Sequence, residues 1–283
     1  MNITRVELSP NDLAKVLQDT LAVAIDAGKL LLGLQQNGSF EVETKSDCSP
    51  VTSADYAASD LIIRRLSALT PHLPVLTEEA LKPWQERREW EAYWLVDPLD
   101  GTQEFIYGSG DFAVSIALIA KGEPVLGVIY WPEKDAVYFA ALGQGAWRKR
   151  CDELKEIHVR RLANPTTDAI TIALSRRQPA ERILSRMAYG ERTIERVLTG
   201  SCALKSCLVA EGTADCFLRV GETGEWDTAA AQILVQEAGG SLVDEQFKPL
   251  SYNHTEEPIN PNFLVLGDPY IAWPTIFPEV ITG

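Results

Sequence analysis

The chain has 283 residues, 46% of them apolar, and a formal net charge of −14, so it has enough apolar mass for a large core in two lobes or one layered domain. The acidic excess argues against nucleic-acid polymers and anionic membranes as general partners, but leaves room for a small phosphorylated substrate, because bound metal and a few local cations can reverse the field inside one cleft. No apolar run is long enough to span a bilayer, and Met1-Asn2-Ile3-Thr4-Arg5 lacks the basic and apolar regions of a signal peptide.

In chain order, Ser9-Pro10-Asn11-Asp12 reads as a capping box, and apolar residues from Leu13 to Leu32 follow at helical spacing to about Gly33. The polar stretch 35–49 reads as a loop or weak hairpin. A second capping box, Thr52-Ser53-Ala54-Asp55, opens a helix to about Leu69. A short strand at 74–76, the pair Glu78-Glu79, and an apolar strand ending at Asp97 come next. Residues 112–121, 124–131 and 136–141 are strand-like and separated by short turns, which predicts an antiparallel meander. After a charge-rich span at 148–167, strands are expected at 170–174, 194–198, 216–220, 241–243 and 263–266. Helices are expected at 179–187, 203–211 and 227–238. That alternation predicts an α/β lobe, with a boundary near Asn164-Pro165: an N-terminal α+β lobe at 1–163 carrying most metal ligands, and a C-terminal α/β lobe at 164–283.

The chemistry centres on Asp97-Pro98-Leu99-Asp100-Gly101-Thr102, where a buried strand stops at two carboxylates. Unpaired carboxylates there repel and resist desolvation, so a cation belongs between them. Oxygen-only ligands favour Mg²⁺ over Zn²⁺. Three further acidic positions, Asp55, Glu78-Glu79 and Asp227, also lie at element ends. Asp55 and Asp227 each have a plainer reading as helix-terminal aspartates, which leaves Glu78-Glu79 and the Asp97/Asp100 pair unexplained. The two carboxylates and the Leu99 carbonyl can converge on one or two cations for in-line phosphoryl displacement. Thr102 can orient the attacking water, with Asp55 as proton acceptor. Asp-Gly-Thr also ends the nucleophile motif of haloacid-dehalogenase-type phosphatases. Those enzymes set two aspartates two residues apart, whereas here the spacing is three and Leu99 takes the nucleophile's place, so a phosphoenzyme is not favoured.

The segments 94–102 (Trp-Leu-Val-Asp-Pro-Leu-Asp-Gly-Thr) and 226–230 (Trp-Asp-Thr-Ala-Ala), the latter followed by Ala238-Gly239-Gly240, resemble the lithium-sensitive, magnesium-dependent superfamily of inositol monophosphatases and fructose bisphosphatases. Ser49 to Asp55, Asp100 to Ile106, Ser201 to Lys205 and Glu222 to Asp227 are most similar to its bacterial 3′(2′),5′-bisphosphate nucleotidase (CysQ-type) branch. The resemblance implies a layered α/β/α/β/α sandwich and two or three Mg²⁺ ions held by Glu78, Asp97, Asp100, Asp227 and the Leu99 carbonyl. It makes Asp55, Thr102 and Glu78 the catalytic residues and puts Lys45 near metal and phosphate. On the substrate side it implies Gly200, Ser201 and Lys205 at a helix N-terminus and Arg219 as an anchor for a second phosphate. Gly101, Thr102, Ser175 and Asp227 complete that set.

One departure is visible: Ser175-Arg176-Arg177-Gln178 stands where the branch usually has Ser-Arg-Ser-His, which puts substrate identity in question and leaves the metal chemistry intact. The implied activity is hydrolysis of the 3′-phosphate of adenosine 3′,5′-bisphosphate to AMP in sulfur metabolism, inhibited by Li⁺ and Ca²⁺. The alternatives are action on a smaller phosphomonoester such as inositol monophosphate, or a non-catalytic nucleotide- or metal-binding protein. The expected protein is a cytoplasmic monomer or homodimer without an obligatory protein partner; a peripheral position at the inner face of the membrane is left open. Cys48, Cys151, Cys202, Cys207 and Cys216, odd in number and without CxxC spacing, read as reduced and mostly structural thiols. His72, His158 and His254 read as surface residues, and Trp84, Trp90, Trp94 and Trp131 as packing aromatics.

Overall fold

The computed structural model describes residues 10–45 and 49–278; Ser9, the expected cap of the first helix, and Cys48 lie outside them. In chain order the elements are α1 (Pro10–Gln36), β1 (Val42–Thr44), β2 (Pro50–Thr52), α2 (Ser53–Leu69), β3 (Val75–Thr77), α3 (Trp84–Arg87), β4 (Ala92–Asp100), α4 (Thr102–Tyr107), β5 (Ala113–Ala120), β6 (Glu123–Trp131), β7 (Ala136–Ala141), β8 (Ala146–Arg150) and β9 (Glu153–Ile157). They continue with β10 (Ile170–Ser175), α5 (Glu181–Leu184), β11 (Ile194–Thr199), α6 (Cys202–Ala210), β12 (Cys216–Arg219), β13 (Thr223–Gly224), α7 (Ala229–Glu237), β14 (Ser241–Asp244), β15 (Ile259–Asn260), β16 (Phe263–Leu266) and α8 (Trp273–Ile276).

Two sheets organise the molecule. Strands β3 to β9 lie side by side in chain order, β3 parallel to β4 and the rest antiparallel. The second sheet has the order β11-β10-β12-β16-β14, with β10 parallel to both neighbours and β16 antiparallel to both of its own. Alternation along each strand decides the layers. Trp94 and Val96 of β4 face a core shared with Leu17, Leu31, Ile62 and Leu66 of α1 and α2. Tyr93 and Leu95 face the opposite core, shared with Leu204, Leu208, Ile233 and Leu234 of α6 and α7 and with Phe217 and Phe263 of the second sheet. The far face of that sheet, Ile172, Leu218 and Leu264, packs with Ile183, Trp273 and Ile276 around α5 and α8. The result is an α/β/α/β/α sandwich, as the resemblance implies. Both sheets contribute to the middle core. Among the described residues, no helix is long and apolar enough to cross a membrane.

The structure changes several local expectations. Strand β4 continues through Asp100 instead of stopping at Asp97, with a register shift between Asp97 and Asp100. Pro98 has no N–H for the ladder, so the strand bulges there and resumes. The charge-rich span holds the end of β8 and all of β9; β9 is a largely exposed edge strand and β8 beside it is only partly covered, so neither gives an apolar alternation to read. The helix expected over 179–187 shortens to α5. Asp227 ends a 3₁₀ turn, Glu225–Asp227, and α7 starts only at Ala229. The weak hairpin is present as β1 against β2. The three histidines are exposed, Trp94 is fully buried, and Trp90 and Trp131 pack at the edge of the middle core. Cys202, Cys207 and Cys216 are buried free thiols, whereas Cys151 is exposed.

Candidate active site

The bulge of β4 aims two carboxylates into one cleft. The Leu99 N–H closes a tight turn onto Asp97 Oδ1 at 2.9 Å. Gly101, at φ 97°, then reverses the chain so that Thr102 opens α4. A Cβ at Gly101 would also stand 3.1 Å from the Asp111 carbonyl, so this turn requires glycine. The third carboxylate, Asp227, comes from the turn before α7 and accepts the Gly224 N–H at 2.7 Å. One oxygen each of Asp97, Asp100 and Asp227 lie within 4.8 Å of one another.

Burial, and then repulsion from Glu78, Asp100 and Asp227, pushes the Asp97 carboxyl well above its ordinary range. Asp227 is raised for the same reasons, burial first and then Asp100 and Glu78. Buried carboxylates that resist ionisation together are a donor set that a hard divalent cation fits, since its charge removes that resistance. The three aspartates therefore form a group that can bind a metal.

Asp100 has a second duty. Its oxygens accept the Ala203 N–H at 2.6 Å, the Cys202 N–H at 3.3 Å and a short hydrogen bond from the Ser201 hydroxyl. It thus caps α6 from a different element, alongside Ser201, whose own hydroxyl accepts the Leu204 N–H at 3.0 Å. Lys205 is buried and donates to the carbonyls of Gly200 and Ser201; burial lowers its pKa.

Behind the metal group, Asp55 Oδ2 accepts from the Thr52 N–H at 2.8 Å and the Thr52 hydroxyl at 2.6 Å, completing the capping box of α2. The Thr102 hydroxyl reaches Asp55 Oδ1 at 3.1 Å and the Leu99 carbonyl at 3.3 Å. The helix-cap reading of Asp55 and the relay reading use different oxygens of one carboxylate. Burial raises the Asp55 pKa, against the hydrogen bonds from Thr52 and Thr102.

Glu78 lies beyond β3. Burial lifts it to about 7, Lys45 opposing and Glu79 and Asp55 adding to the rise. Its carboxylate meets Lys45 Nζ at 2.6 Å, and Glu79 meets the same ammonium at 2.7 Å. Burial disfavours the Lys45 charge, but Glu78 and Glu79 outweigh it and hold the ammonium above the ordinary lysine range.

These groups border a cleft of about 530 Å³. Of the residues expected from sequence, Glu78, Asp97, Leu99, Asp100, Gly101, Thr102, Ser175, Gly200, Ser201, Lys205, Arg219 and Asp227 line it, while Lys45 and Asp55 support it through Glu78 and Thr102. Arg219 donates to the Glu222 carbonyl at 3.1 Å, and its Nε is buried without a protein partner among the described residues.

Two ion pairs, one lining the cleft and one beside it, were not readable in the sequence. Arg177 Nε meets Glu104 Oε1 at 2.6 Å, and Arg176 Nε meets Asp111 Oδ2 at 2.5 Å. Asp111 also accepts the Gly200 N–H at 3.0 Å. The adjacent arginines after β10 were the available signal; their acids lie 73 and 65 residues away, a separation that no local pattern reveals.

Comparison with known proteins agrees with this architecture. The model of the inositol monophosphatase family matches residues 12–266. The chain is 41% identical over 266 residues to the 3′(2′),5′-bisphosphate nucleotidase CysQ of Haemophilus influenzae, covering 93% of this chain and 96% of that protein. It is likewise 41% identical over 251 residues to the protein of that name from Escherichia coli K12, covering 88% and 99%. Among solved structures, CysQ of Bacteroides thetaiotaomicron, a bacterial member of the family, superposes with a TM-score of 0.75 at 32% identity, covering 90% of this chain and 97% of that one. The Thermotoga maritima IMPase gives a TM-score of 0.75 at 25% identity over 95% and 96%. The chain belongs to the inositol monophosphatase family.

Proposed function

We propose that this protein is a Mg²⁺-dependent 3′(2′),5′-bisphosphate nucleotidase that hydrolyses the 3′-phosphate of adenosine 3′,5′-bisphosphate, giving AMP and phosphate. The observation that carries this reading is the convergence of Asp97, Asp100 and Asp227 in a cleft beside a hydroxyl–carboxylate pair, Thr102 and Asp55. Relatives named for this activity support the choice of substrate.

Asp97, Asp100, Asp227, Glu78 and the Leu99 carbonyl are the residues that would hold two or three Mg²⁺ ions. When bound, Mg²⁺ supplies charge stabilisation for the phosphoryl oxygens and an acidified water. The Thr102 hydroxyl orients the attacking water and passes its proton to Asp55 Oδ1. That carboxylate is fixed by its two hydrogen bonds from Thr52, so the relay is in place before substrate arrives. Water attacks phosphorus and the P–O3′ bond breaks, with no covalent intermediate on the protein. The 3′ oxygen takes its proton from solvent in the open cleft. Lys45 holds Glu78 in position as the site fills and empties. Buried free thiols and a net charge of −14 suit a cytoplasmic setting.

The test is phosphate release with Mg²⁺ from adenosine 3′,5′-bisphosphate beside inositol 1-phosphate and fructose 1,6-bisphosphate at equal concentration. A strong preference for the nucleotide, abolished by EDTA and reduced by Li⁺, is expected. Preference for the inositol or sugar phosphate would overturn the substrate and keep the metal chemistry. Nucleotide binding without phosphate release would overturn catalysis.

A further inference from the structure

We infer that Arg177 is the residue that selects for a second phosphate on the substrate, an inference that rests on the bisphosphate reading above. Among the described residues, three cationic side chains line the cleft: Lys205, Arg219 and Arg177. Lys205 is nearly buried and spends its ammonium on the carbonyls of Gly200 and Ser201, so it holds the start of α6. Arg219 is half-buried and donates from Nη2 to the Glu222 carbonyl, so one of its terminal nitrogens is already committed to the protein.

Arg177 is built differently. Its Nε is tied at 2.6 Å to Glu104, a buried carboxylate whose other oxygen accepts the Ser109 hydroxyl. Its guanidinium lies 4.0 Å from the Tyr107 ring centroid. Both contacts come from α4, so the same element that carries Thr102 also orients this cation. The terminal nitrogens Nη1 and Nη2 make no hydrogen bond to the protein among the described residues, and the side chain is 35% exposed. A guanidinium fixed through Nε and stacked on an aromatic face presents its remaining edge as a preformed fork. That geometry suits a phosphate dianion and loses little rotamer freedom on binding. Glu104 takes Arg177 Nε on one oxygen and the Ser109 hydroxyl on the other, so the contact it makes to Arg177 is through Nε and not through the terminal nitrogens.

The experiment compares kcat/KM for adenosine 3′,5′-bisphosphate with that for adenosine 3′-monophosphate, in the wild-type protein, R177A and R177K. The wild-type protein is expected to prefer the bisphosphate. In R177A the ratio of the two constants is expected to fall about 10- to 100-fold, the size of a lost charge-assisted hydrogen-bond pair. R177K keeps the charge without the fork and is expected to recover only part of the ratio. Binding of AMP, which retains the 5′-phosphate, is expected to weaken in R177A by a similar factor in calorimetry with EDTA present, a readout independent of turnover. A wild-type preference that survives unchanged in R177A, with AMP affinity also unchanged, would overturn the assignment to Arg177 and leave the bisphosphate reading standing. Metal-dependent turnover with no wild-type preference would instead overturn the bisphosphate reading, and this assignment with it.

Discussion

At the scale of single residues, the site economises on carboxylates. Asp55 caps α2 with Oδ2 and accepts the Thr102 hydroxyl's hydrogen bond on Oδ1. Asp100 belongs to the metal-binding group and caps α6 across the cleft. The two roles are separable by substitution. Asp100→Asn removes a negative ligand and the charge complement to the α6 N-terminus, but retains a side-chain oxygen for one N–H. Phosphate release should fall by about 10²-fold or more, while the cap loss costs only about 1 kcal/mol. Activity assays beside urea denaturation check both; near-normal turnover would remove Asp100 from the metal site. Asp55→Asn should lower kcat by about 10²–10⁴-fold, the usual range for a general base. KM should barely move, because Asp55 stands behind the cleft lining and touches Thr102 instead of substrate.

At the scale of elements, the site depends on how closely α7 approaches the first sheet. Gly127 of β6 faces that helix, and a Cβ there would stand 2.6 Å from both the Ala230 carbonyl and Ile233 Cγ2. The contact to the carbonyl involves backbone, so the helix must move for a methyl to fit. Gly127→Ala is therefore expected to destabilise the fold by about 1–3 kcal/mol. It should also weaken Mg²⁺ binding, since displacing α7 displaces the turn that carries Asp227. Chemical denaturation and metal titration would show the two effects together; a variant of wild-type stability would mean that α7 has freedom the packing does not show.

At the scale of the whole molecule, the buried acids couple stability to pH and metal. Glu78 and Glu225 have carboxyls lifted from 4.5 to about 7, in each case chiefly by burial. A folded-state pKa above the unfolded one means that the folded protein binds more protons between the two values. Stability of the metal-free protein should therefore fall as pH rises from about 4.5 to about 7. Metal binding requires deprotonated carboxylates, so the Tm gain from added Mg²⁺ should grow over the same interval. Melting curves in EDTA and in Mg²⁺ across that range test this. A metal-free Tm that rises steadily towards pH 7 would contradict it.

Local chemistry was legible from the sequence: capping boxes, the Pro98 turn, period-two strands and acids at element ends each follow from a few adjacent residues. That is why α2, the β5–β7 meander and the clustering of aspartates able to hold a metal could be read directly. The edge strand β9 and its neighbour β8 could not, because their charged, partly exposed residues carry no apolar alternation. The Glu104–Arg177 and Asp111–Arg176 pairs could not either, since their partners are adjacent only after the two sheets share a core. Residue types and local turns determined that this chain would gather carboxylates into a group that can bind a metal. Which carboxylate also serves a helix cap and which arginine faces the cleft were decided only by packing between elements distant in the chain.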